Sequence, residues 1–235
     1  MADERSHAAW DITQQVVLNK DRLDKISRSE SSGIQGEEAF FNGVRVISRD
    51  TPINNGIYLR RSSENEAVLI DDQKDALLKG SFDMIERELL AELAAKPPES
   101  DQEKEEAILN KIFVTVARFI PSDPTTAQKR IDTEPGQDKV MRLSKFFLAG
   151  FPHHQALYAG YLLEKCIEKG HLQGKVSIDR NRMVNGGSNV WVRYIDGDNN
   201  VHVLDVAKEF KGKLDPAKQK EYPWSYFRPE DLNQK

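Results

Sequence analysis

The chain has 235 residues, of which 38% are hydrophobic and 31% are charged, and this composition predicts an ordinary globular protein. Its 34 basic and 38 acidic residues are mixed along the chain and give a formal net charge of −4. That balance disfavours nucleic acid and anionic membranes as partners, because both bind basic surfaces. The sequence shows no signal-peptide pattern and no apolar run of membrane-spanning length, which predicts a soluble cytoplasmic protein.

The first 96 residues are predicted to form two helices and a small sheet. Between Ile12 and Ile26 apolar residues recur at helical spacing, and the polar stretch SRSESSGIQGEE that follows reads as a flexible connection. Three segments rich in β-branched and aromatic residues, AFFNGVRVISRD, GIYLRR and EAVLID, predict an antiparallel meander. A helical period then starts at Phe82 and stops at Pro97. We therefore assign residues 1–36 to the helix and connection and residues 37–96 to the meander and its helix.

Residues 97–235 begin with a helix signal of their own. Ser100 and Glu103 form a capping-box pattern ahead of apolar residues at helical spacing, so a helix is expected from about Asp101 to just before Pro121. The stretch SDPTTAQKRIDTEPGQD then reads as a polar connection, and KVMRLSKFFLAG reads as a short apolar helix.

A central buried helix is predicted to begin within GFPHHQALYAGYLLEKC, at Pro152. Proline suits the first helical position, and it favours an extended conformation of the preceding residue. Small and apolar residues then recur on one face, and Gly170 suits the helix end. His153, His154 and Gln155 fall in the first turn, where free N–H groups favour an anion or a thiolate. Cysteine enzymes place their nucleophile at such a position.

The second informative stretch predicts antiparallel strands. QGKVSIDRN reads as one strand, MVNGG as a loop, and SNVWVRYI and NVHVLDV as two further strands that are joined by residues 196–198. A three-residue hairpin loop places Asn189 opposite Asp205 and puts Trp191 on the same face of the sheet. The C-terminal stretch EYPWSYFRPEDL is rich in aromatic residues and is expected to close the core against this sheet.

Together the two stretches resemble the transglutaminase-like branch of the papain-like cysteine enzymes, over roughly residues 101–207. The resemblance implies that Pro152 stands at the position of the nucleophilic cysteine, with His153 and His154 at the next two helix positions. It places Asn189 at the position of the catalytic histidine and Asp205 at that of the orienting aspartate. Trp191 and Val192 match the family's Trp-Val pair.

The departures from the family pattern decide the functional prediction. Proline and asparagine can neither attack a carbonyl nor transfer a proton near neutral pH. Losing the nucleophile and the base of such an enzyme together lowers turnover on the order of a millionfold. We therefore expect no catalytic residues, no cofactor and no metal, and a vestigial binding cleft instead. Its expected lining residues are Pro152, His153, His154, Gln155, Asn189, Trp191 and Asp205.

Several alternatives concern single residues. Cys166 is the only cysteine, which excludes an intramolecular disulfide, and it lies about 21 Å along the helix from Pro152, so a buried structural role is favoured. Adjacent histidines point about 100° apart on a helix, which disfavours a metal site at His153 and His154. For Asp205, a buried carboxylate held by donors and a ligand contact are equally compatible with the sequence. Trp191 fits a core position better than a ligand platform.

The sequence thus predicts an α+β, papain/transglutaminase-like fold, with a helical half packed on an antiparallel sheet and an N-terminal helix and small β meander. Residues 97–235 form the transglutaminase-like core with its aromatic tail. The expected function is that of an inactive domain that binds a protein or peptide. One alternative is an active hydrolase or acyl transferase that uses His154 and Asp205 without a thiol, and another is a purely structural domain whose cleft is filled by side chains. The look of the family suggests bacterial origin and, besides a cytoplasmic location, export as an effector without a standard signal peptide.

Overall fold

The computed structural model describes residues 9–10, 26–30, 37–60, 66–136, 138–182 and 187–232. The protein belongs to the α+β class, as predicted, with two sheets. Its helices are α1 (Ala76–Ala95), α2 (Asp101–Phe119), α3 (Pro124–Thr133), α4 (Pro152–Glu168) and α5 (Pro229–Leu232). None of the helices in these ranges combines the length and the apolar character that a bilayer-spanning segment needs.

The first sheet, called here the mixed sheet, has six strands whose order in the sheet follows the chain. They are β2 (Ile26–Glu30), β3 (Glu37–Phe41), β4 (Val44–Val46), β5 (Gly56–Leu59), β6 (Glu66–Ile70) and β7 (Lys139–Arg142). β4 pairs in parallel with β5, and β6 pairs in parallel with β7, while the other neighbours are antiparallel. The predicted antiparallel meander is therefore wrong at the β4–β5 step, because residues 47–55 are too long a connection for a tight hairpin.

The N-terminal predictions are only partly covered by the structure. The predicted helix lies outside the described residues except for Ile26, which begins strand β2. The predicted flexible connection is wrong in two places, since residues 27–30 belong to β2 and residues 37–38 belong to β3. Their polar composition hid these strands; β2 is the edge strand of the mixed sheet, where the hydrophobic signal is weak, and it pairs with residues 37–38 of β3.

Helices α1 and α2 confirm their predictions. α1 buries Phe82, Ile85 and Leu89 as expected, but it starts earlier than predicted, where the Asp75 side chain caps the N–H of Leu78. α2 is capped by Ser100, whose hydroxyl accepts the N–H of Glu103 at 3.2 Å. The Glu103 carboxylate accepts the N–H of Glu99 at 2.8 Å. Both hydrogen bonds of a capping box are therefore present, except that the second comes from the residue before the N-cap.

The next two predictions are wrong. The polar connection contains helix α3, which Asp123 caps through the N–H of Thr126, and which buries Ala127 and Ile131 against the core. Lys139–Arg142, predicted as the start of a helix, form strand β7, and a 3-10 turn follows at Leu143–Phe146. Short apolar runs do not distinguish strand from helix by periodicity, and here pairing with β6 decides the outcome.

Helix α4 begins at Pro152, as predicted, and Gly170 has a φ of +74° just beyond its end. Its apolar residues share one core with residues of both sheets. Gly160 marks the closest approach, because a Cβ there would lie 2.6 Å from Ile53 Cδ1 and 2.7 Å from Ile178 Cδ1. Only a glycine lets this helix lie against both groups without a shift.

The second sheet, called the antiparallel sheet, has the strand order β1-β8-β9-β10-β11. Its strands are β1 (Ala9–Trp10), β8 (Lys175–Arg182), β9 (Ser188–Ile195), β10 (Val201–Asp205) and β11 (Phe210–Lys213). All four pairings are antiparallel, which confirms the predicted sheet on which the helical half packs. The division at residues 36 and 96 stays a prediction, although β7, from the third segment, belongs to the mixed sheet.

The predicted register of the β9–β10 hairpin is wrong by two residues. Ile195 pairs with Val201, so the loop has the five residues 196–200, and Asp205 comes opposite Trp191. The longer loop forms because Asp196 accepts hydrogen bonds from the backbone N–H groups of Asp198 and Asn200. A shift of two residues keeps every side chain on its face, so Asn189 and Asp205 remain neighbours.

Candidate functional site

The first turn of helix α4 begins with a proline and is capped by the ring of His154. Pro152 occupies the first helical position, and Phe151 before it is extended, with φ −94° and ψ 166°. The ring of His154 turns back so that its Nδ1 accepts the N–H of Phe151 at 3.0 Å. This bond caps the helix start, and it fixes the remaining imidazole proton of neutral His154 on Nε2.

Both histidines of the helix tip bind one carboxylate that the sequence did not point to. Glu66, on β6 of the mixed sheet, has its Oε1 at 2.7 Å from His154 Nε2 and at 3.2 Å from His153 Nε2. Its other oxygen, Oε2, forms an ion pair with Arg60 Nη1 at 3.1 Å. The helix tip therefore faces the mixed sheet in a charge-compensated group, which we call the Glu66 network. Its members are Arg60, Glu66, His153 and His154.

Aromatic rings seal the Glu66 network from water. Phe146 stacks on the ring of His154 with centroids 3.4 Å apart, and Tyr58 stacks on His153 at 5.8 Å. Burial, with a smaller contribution from His153, lowers the pKa of His154 to about 3. Burial also lowers the pKa of His153. Both imidazoles are therefore neutral donors near pH 7, while the pKa of Glu66 is held well below its usual range by these donors in spite of its burial.

Glu66, His153 and His154 have the spacing of a metal-binding group, but their hydrogen bonds argue against one. Their three ligand atoms lie within 4.8 Å of one another. A metal would need the lone pair of His154 Nε2, and the bond from Phe151 N–H to Nδ1 keeps a proton there instead. Arg60 further supplies the positive charge that a cation would bring. The group is best described as a structural network. The sequence argument against a metal at this pair is wrong in its geometry, because both histidines reach the same oxygen of Glu66.

The predicted polar pair is present on the antiparallel sheet. Asn189 Nδ2 donates to Asp205 Oδ2 at 2.5 Å, and the hydroxyl of Tyr226 donates to the same oxygen at 2.8 Å. Asp205 Oδ1 accepts the N–H of Lys208 at 3.1 Å, which caps a short 3-10 turn. Burial raises the pKa of Asp205, and these three donors offset only part of that rise. Asp205 is thus held by protein donors on both oxygens.

The polar pair faces away from helix α4. Val192 and Leu204 pack in the core that contains α4, whereas Trp191 packs with the aromatic residues of the C-terminal segment. Because side chains alternate along a strand, Asn189 and Asp205 lie on the Trp191 face. The C-terminal aromatic tail covers that face, as predicted, and Tyr226 meets the Trp191 ring edge-on at 5.2 Å.

The single cleft that the resemblance implies is therefore not the arrangement in the structure. Six of its seven predicted lining residues expose at most 6% of their surface, and only Pro152 is half-buried. They form two closed groups, one at Glu66 and one under the C-terminal segment. Gln155 belongs to neither, since its Nε2 donates to the carbonyl of Ile120 at 2.8 Å inside the core.

Cys166 and Trp191 occupy the structural positions that the sequence favours. Cys166 is buried on α4, and burial with the nearby Glu86 carboxylate raises the pKa of its thiol to about 12. A thiol with this pKa is not a nucleophile near neutral pH. Trp191 is fully buried between the sheet and the C-terminal segment, so it is a core residue.

An open polar concavity lies at the other end of β9, and we call it the acidic cleft. It has a volume of about 400 Å³ and is lined by the first turns of α2, by residues 170–173 after α4, by the β9–β10 loop, and by His202 and Lys213. Asn189 and Ile195 mark the two ends of the strand, six residues apart, which corresponds to about 20 Å. The cleft is therefore separate from both closed groups.

Three side chains converge in the acidic cleft. His202 Nε2 lies 3.2 Å from Asp196 Oδ2 and 3.4 Å from Glu105 Oε1. Glu105 is supported by the hydroxyl of Tyr194 at 3.1 Å from Oε2. Partial burial, together with the nearby Asp196 and Glu106 carboxylates, raises the pKa of Glu105. Sequence reasoning missed this group because its members come from α2, a loop and β10, and the only local signal was the acidic hairpin turn DGDNN.

Comparison with protein-family models, with curated proteins and with solved structures found no match to this chain. The transglutaminase-like resemblance therefore rests on the two sequence stretches alone and stays a prediction.

Proposed function

We propose that this chain is a binding protein without cysteine-type catalysis and that it takes a positively charged ligand in the acidic cleft. One observation carries the proposal. The titratable groups at the predicted catalytic positions are enclosed in hydrogen-bond networks, while the acidic cleft is open and presents convergent side chains. Open concave sites with a few convergent polar groups are where ligands bind most often.

The charges around the acidic cleft favour a cation. Four carboxylates line it, those of Asp101, Glu105, Asp196 and Asp198, against the ammonium groups of Lys104 and Lys213. Partial burial raises the pKa of Glu105 and the nearby carboxylates add to the rise, so a cation placed among them would stabilise the charged form of Glu105. At about 400 Å³ the cleft suits a small ligand, so a protein partner would enter it with one projecting basic side chain.

The geometry also supports the absence of cysteine-type catalysis, although it does not bring the helix tip and the polar pair together as the transglutaminase-like resemblance implies. Helix α4 starts at Pro152, and Asp205 holds Asn189 as the family's aspartate is expected to hold its histidine. Neither Pro152 nor Asn189 supplies a nucleophile or a base. The positions that the resemblance assigns to catalysis are parts of the core, and the proposed binding role lies at the other end of the antiparallel sheet.

The hydrolase alternative requires His154 and Asp205 to act together. His154 instead donates to Glu66, and Asp205 accepts from Asn189 and Tyr226. A pair in which each member is bonded elsewhere, on different faces of the sheet, has no shared site for a substrate. The alternative therefore has no support in the contacts of either residue.

Two measurements test the proposal. The full chain is assayed for amide hydrolysis, for ammonia release from glutamine peptides and for incorporation of a labelled amine. We expect the same blank rate for the chain and for the double variant His154→Gln, Asp205→Asn. Turnover that the double variant loses would show that the chain is an enzyme.

The ligand site is tested with argininamide, a small organic cation, by NMR titration of the 15N-labelled chain. We expect shifts confined to residues 101–105, 170–173 and 196–202, and the same shifts in the double variant above. Shifts spread over other acidic surfaces, or none at millimolar probe, would refute the assignment of the acidic cleft as the site.

A further inference from the structure

We propose that Glu105, Asp196 and His202 form a site for a first-row divalent cation such as Zn²⁺, open on one side to the acidic cleft. The inference deepens the proposed function, on which it rests, because it names the class of ligand. The three ligand atoms lie within 4.8 Å of one another. Each comes from a different element, so the fold itself brings them together: α2 supplies the glutamate, the β9–β10 loop the aspartate, and β10 the histidine.

The spacing of the ligand atoms suits a single small ion. Zn²⁺ binds histidine nitrogen and carboxylate oxygen at about 2.0–2.2 Å, which puts neighbouring ligands of a tetrahedral site about 3.4 Å apart. His202 Nε2 lies 3.2 Å from Asp196 Oδ2 and 3.4 Å from Glu105 Oε1. The ion can therefore replace the Nε2 proton with little movement of the side chains.

Hydrogen bonds on the outer side hold both carboxylates in place. The Tyr194 hydroxyl, which also contacts the carbonyl oxygen of Gln173 at 2.5 Å, lies 3.1 Å from Glu105 Oε2, and Glu105 Oε1 is directed at His202. Asp196 Oδ1 accepts two backbone N–H groups of its own loop, and Asn200 Nδ2 donates to Oδ2 at 2.8 Å, which leaves one acceptor position on Oδ2. Such partners orient metal ligands and are part of a metal site.

The histidine can present the lone pair that a metal requires. Among the described residues, the contacts of His202 with polar side chains are made by Nε2, so Nδ1 can carry the ring proton while Nε2 binds an ion. His154 differs here, because its Nδ1 accepts a backbone N–H and its Nε2 must keep the proton. Two groups with nearly the same ligand types thus differ in whether a metal can bind.

The identity of the ligands selects the class of ion. One imidazole with two carboxylates suits Zn²⁺, Mn²⁺ or Fe²⁺, whereas Mg²⁺ and Ca²⁺ prefer oxygen ligands alone. Three protein ligands leave at least one coordination position, and the cleft gives that position access to water or to an anionic group of a partner.

The inference is tested by isothermal titration of the untagged full chain with ZnCl₂. We expect one ion per chain at the acidic cleft, with binding weakened at least about tenfold by Glu105→Gln and, separately, by His202→Gln. Millimolar Mg²⁺ should not compete. Metal-free melting curves of both variants show that they are folded before they are titrated.

The controls remove charge or imidazole from the same cleft without removing a ligand. Asp198→Asn and His171→Gln should each change the affinity less than about threefold. Equal weakening by Asp198→Asn would show diffuse charge attraction and overturn the site, as would undiminished binding in the Glu105 and His202 variants or no Zn²⁺ uptake. If Zn²⁺ fails to bind while argininamide binds and turnover is absent, this inference falls and the proposed function stands.

Discussion

The Glu66 network and the acidic cleft contain nearly the same types of side chain, but the first is a structural network and the second is a proposed binding site. Each has a glutamate that meets histidine Nε2 atoms at hydrogen-bond or ion-pair distance. In the Glu66 network the glutamate and both histidines are buried, the tautomer of His154 is fixed by the backbone, and the partly exposed Arg60 balances the charge. In the acidic cleft the carboxylates exceed the cations and solvent reaches them. Access and unbalanced charge, rather than residue type, separate a structural network from a binding site.

The largest expected effect comes from removing the centre of the closed network. Glu66→Ala leaves the Nε2–H groups of His153 and His154 without an acceptor inside the core. We expect the free energy of unfolding to fall by about 2–5 kcal/mol, measured by urea denaturation. Glu92→Ala, which removes an exposed partner of Lys111, should change it by less than about 1 kcal/mol. A loss as small as that for Glu66 would show that the network is not structural.

Acid should weaken the closed network next. His154 has a pKa of about 3 in the folded chain and 6.5 ordinarily, so the unfolded chain binds the extra proton as the pH falls below about 6.5. The stability it contributes is complete above that pH and is lost progressively towards pH 3. We expect a loss of about 1.4 kcal/mol per pH unit from this group, and a flatter profile in His154→Gln. An unchanged slope in His154→Gln would contradict the assignment.

A smaller effect is expected under the C-terminal segment. Tyr226→Phe removes one of the donors to Asp205 but leaves Asn189 and the N–H of Lys208. The free energy of unfolding should fall by about 1–2 kcal/mol near pH 7, because a buried carboxylate keeps fewer partners. The same substitution should raise the pKa of Asp205 further, which 13C NMR of the carboxyl would detect. A neutral result in both measurements would mean that water replaces the hydroxyl.

The smallest effect is expected where the glutamate is in the open site. Glu105→Gln removes a partly exposed carboxylate that His202 attracts and that Asp196 and Glu106 repel, so in metal-free buffer it should change the free energy of unfolding by less than about 1 kcal/mol. Urea denaturation beside Glu66→Ala makes the comparison direct. A loss similar to that of Glu66→Ala would mean that the acidic cleft is also a structural network.

The features that the sequence predicted correctly depend on signals within a few neighbouring residues. The Ser100 cap and the proline at position 152 each act over a few residues, and each is found in the structure. Strands β9 and β10 also form as predicted, although most of their residues are buried on both faces. The Asp123 cap of α3 is also a local signal, but the polar composition of this segment led to its assignment as a connection. β7 could not be assigned because its partner, β6, lies far away in the chain.

Long-range partners set the limit for the site. Asn189 and Asp205 lie in adjacent strands, so the sequence predicted their contact even with the wrong loop length. Glu66 lies 87 and 88 residues from the two histidines that it binds, and no periodicity links them. Glu105 and His202 are similarly remote, so only the folded chain shows the acidic cleft.

The glycine at position 160 has a consequence for how the chain folds. The space that a side chain would fill at this position is occupied by Ile53, which precedes β5, and by Ile178 of β8. Neither sheet can complete its apolar face without this helix, and the helix in turn has few apolar residues left for solvent. The two sheets are therefore expected to fold and unfold as one cooperative unit. A substitution at the tip of α4 should then affect the acidic cleft only by lowering the stability of the whole fold.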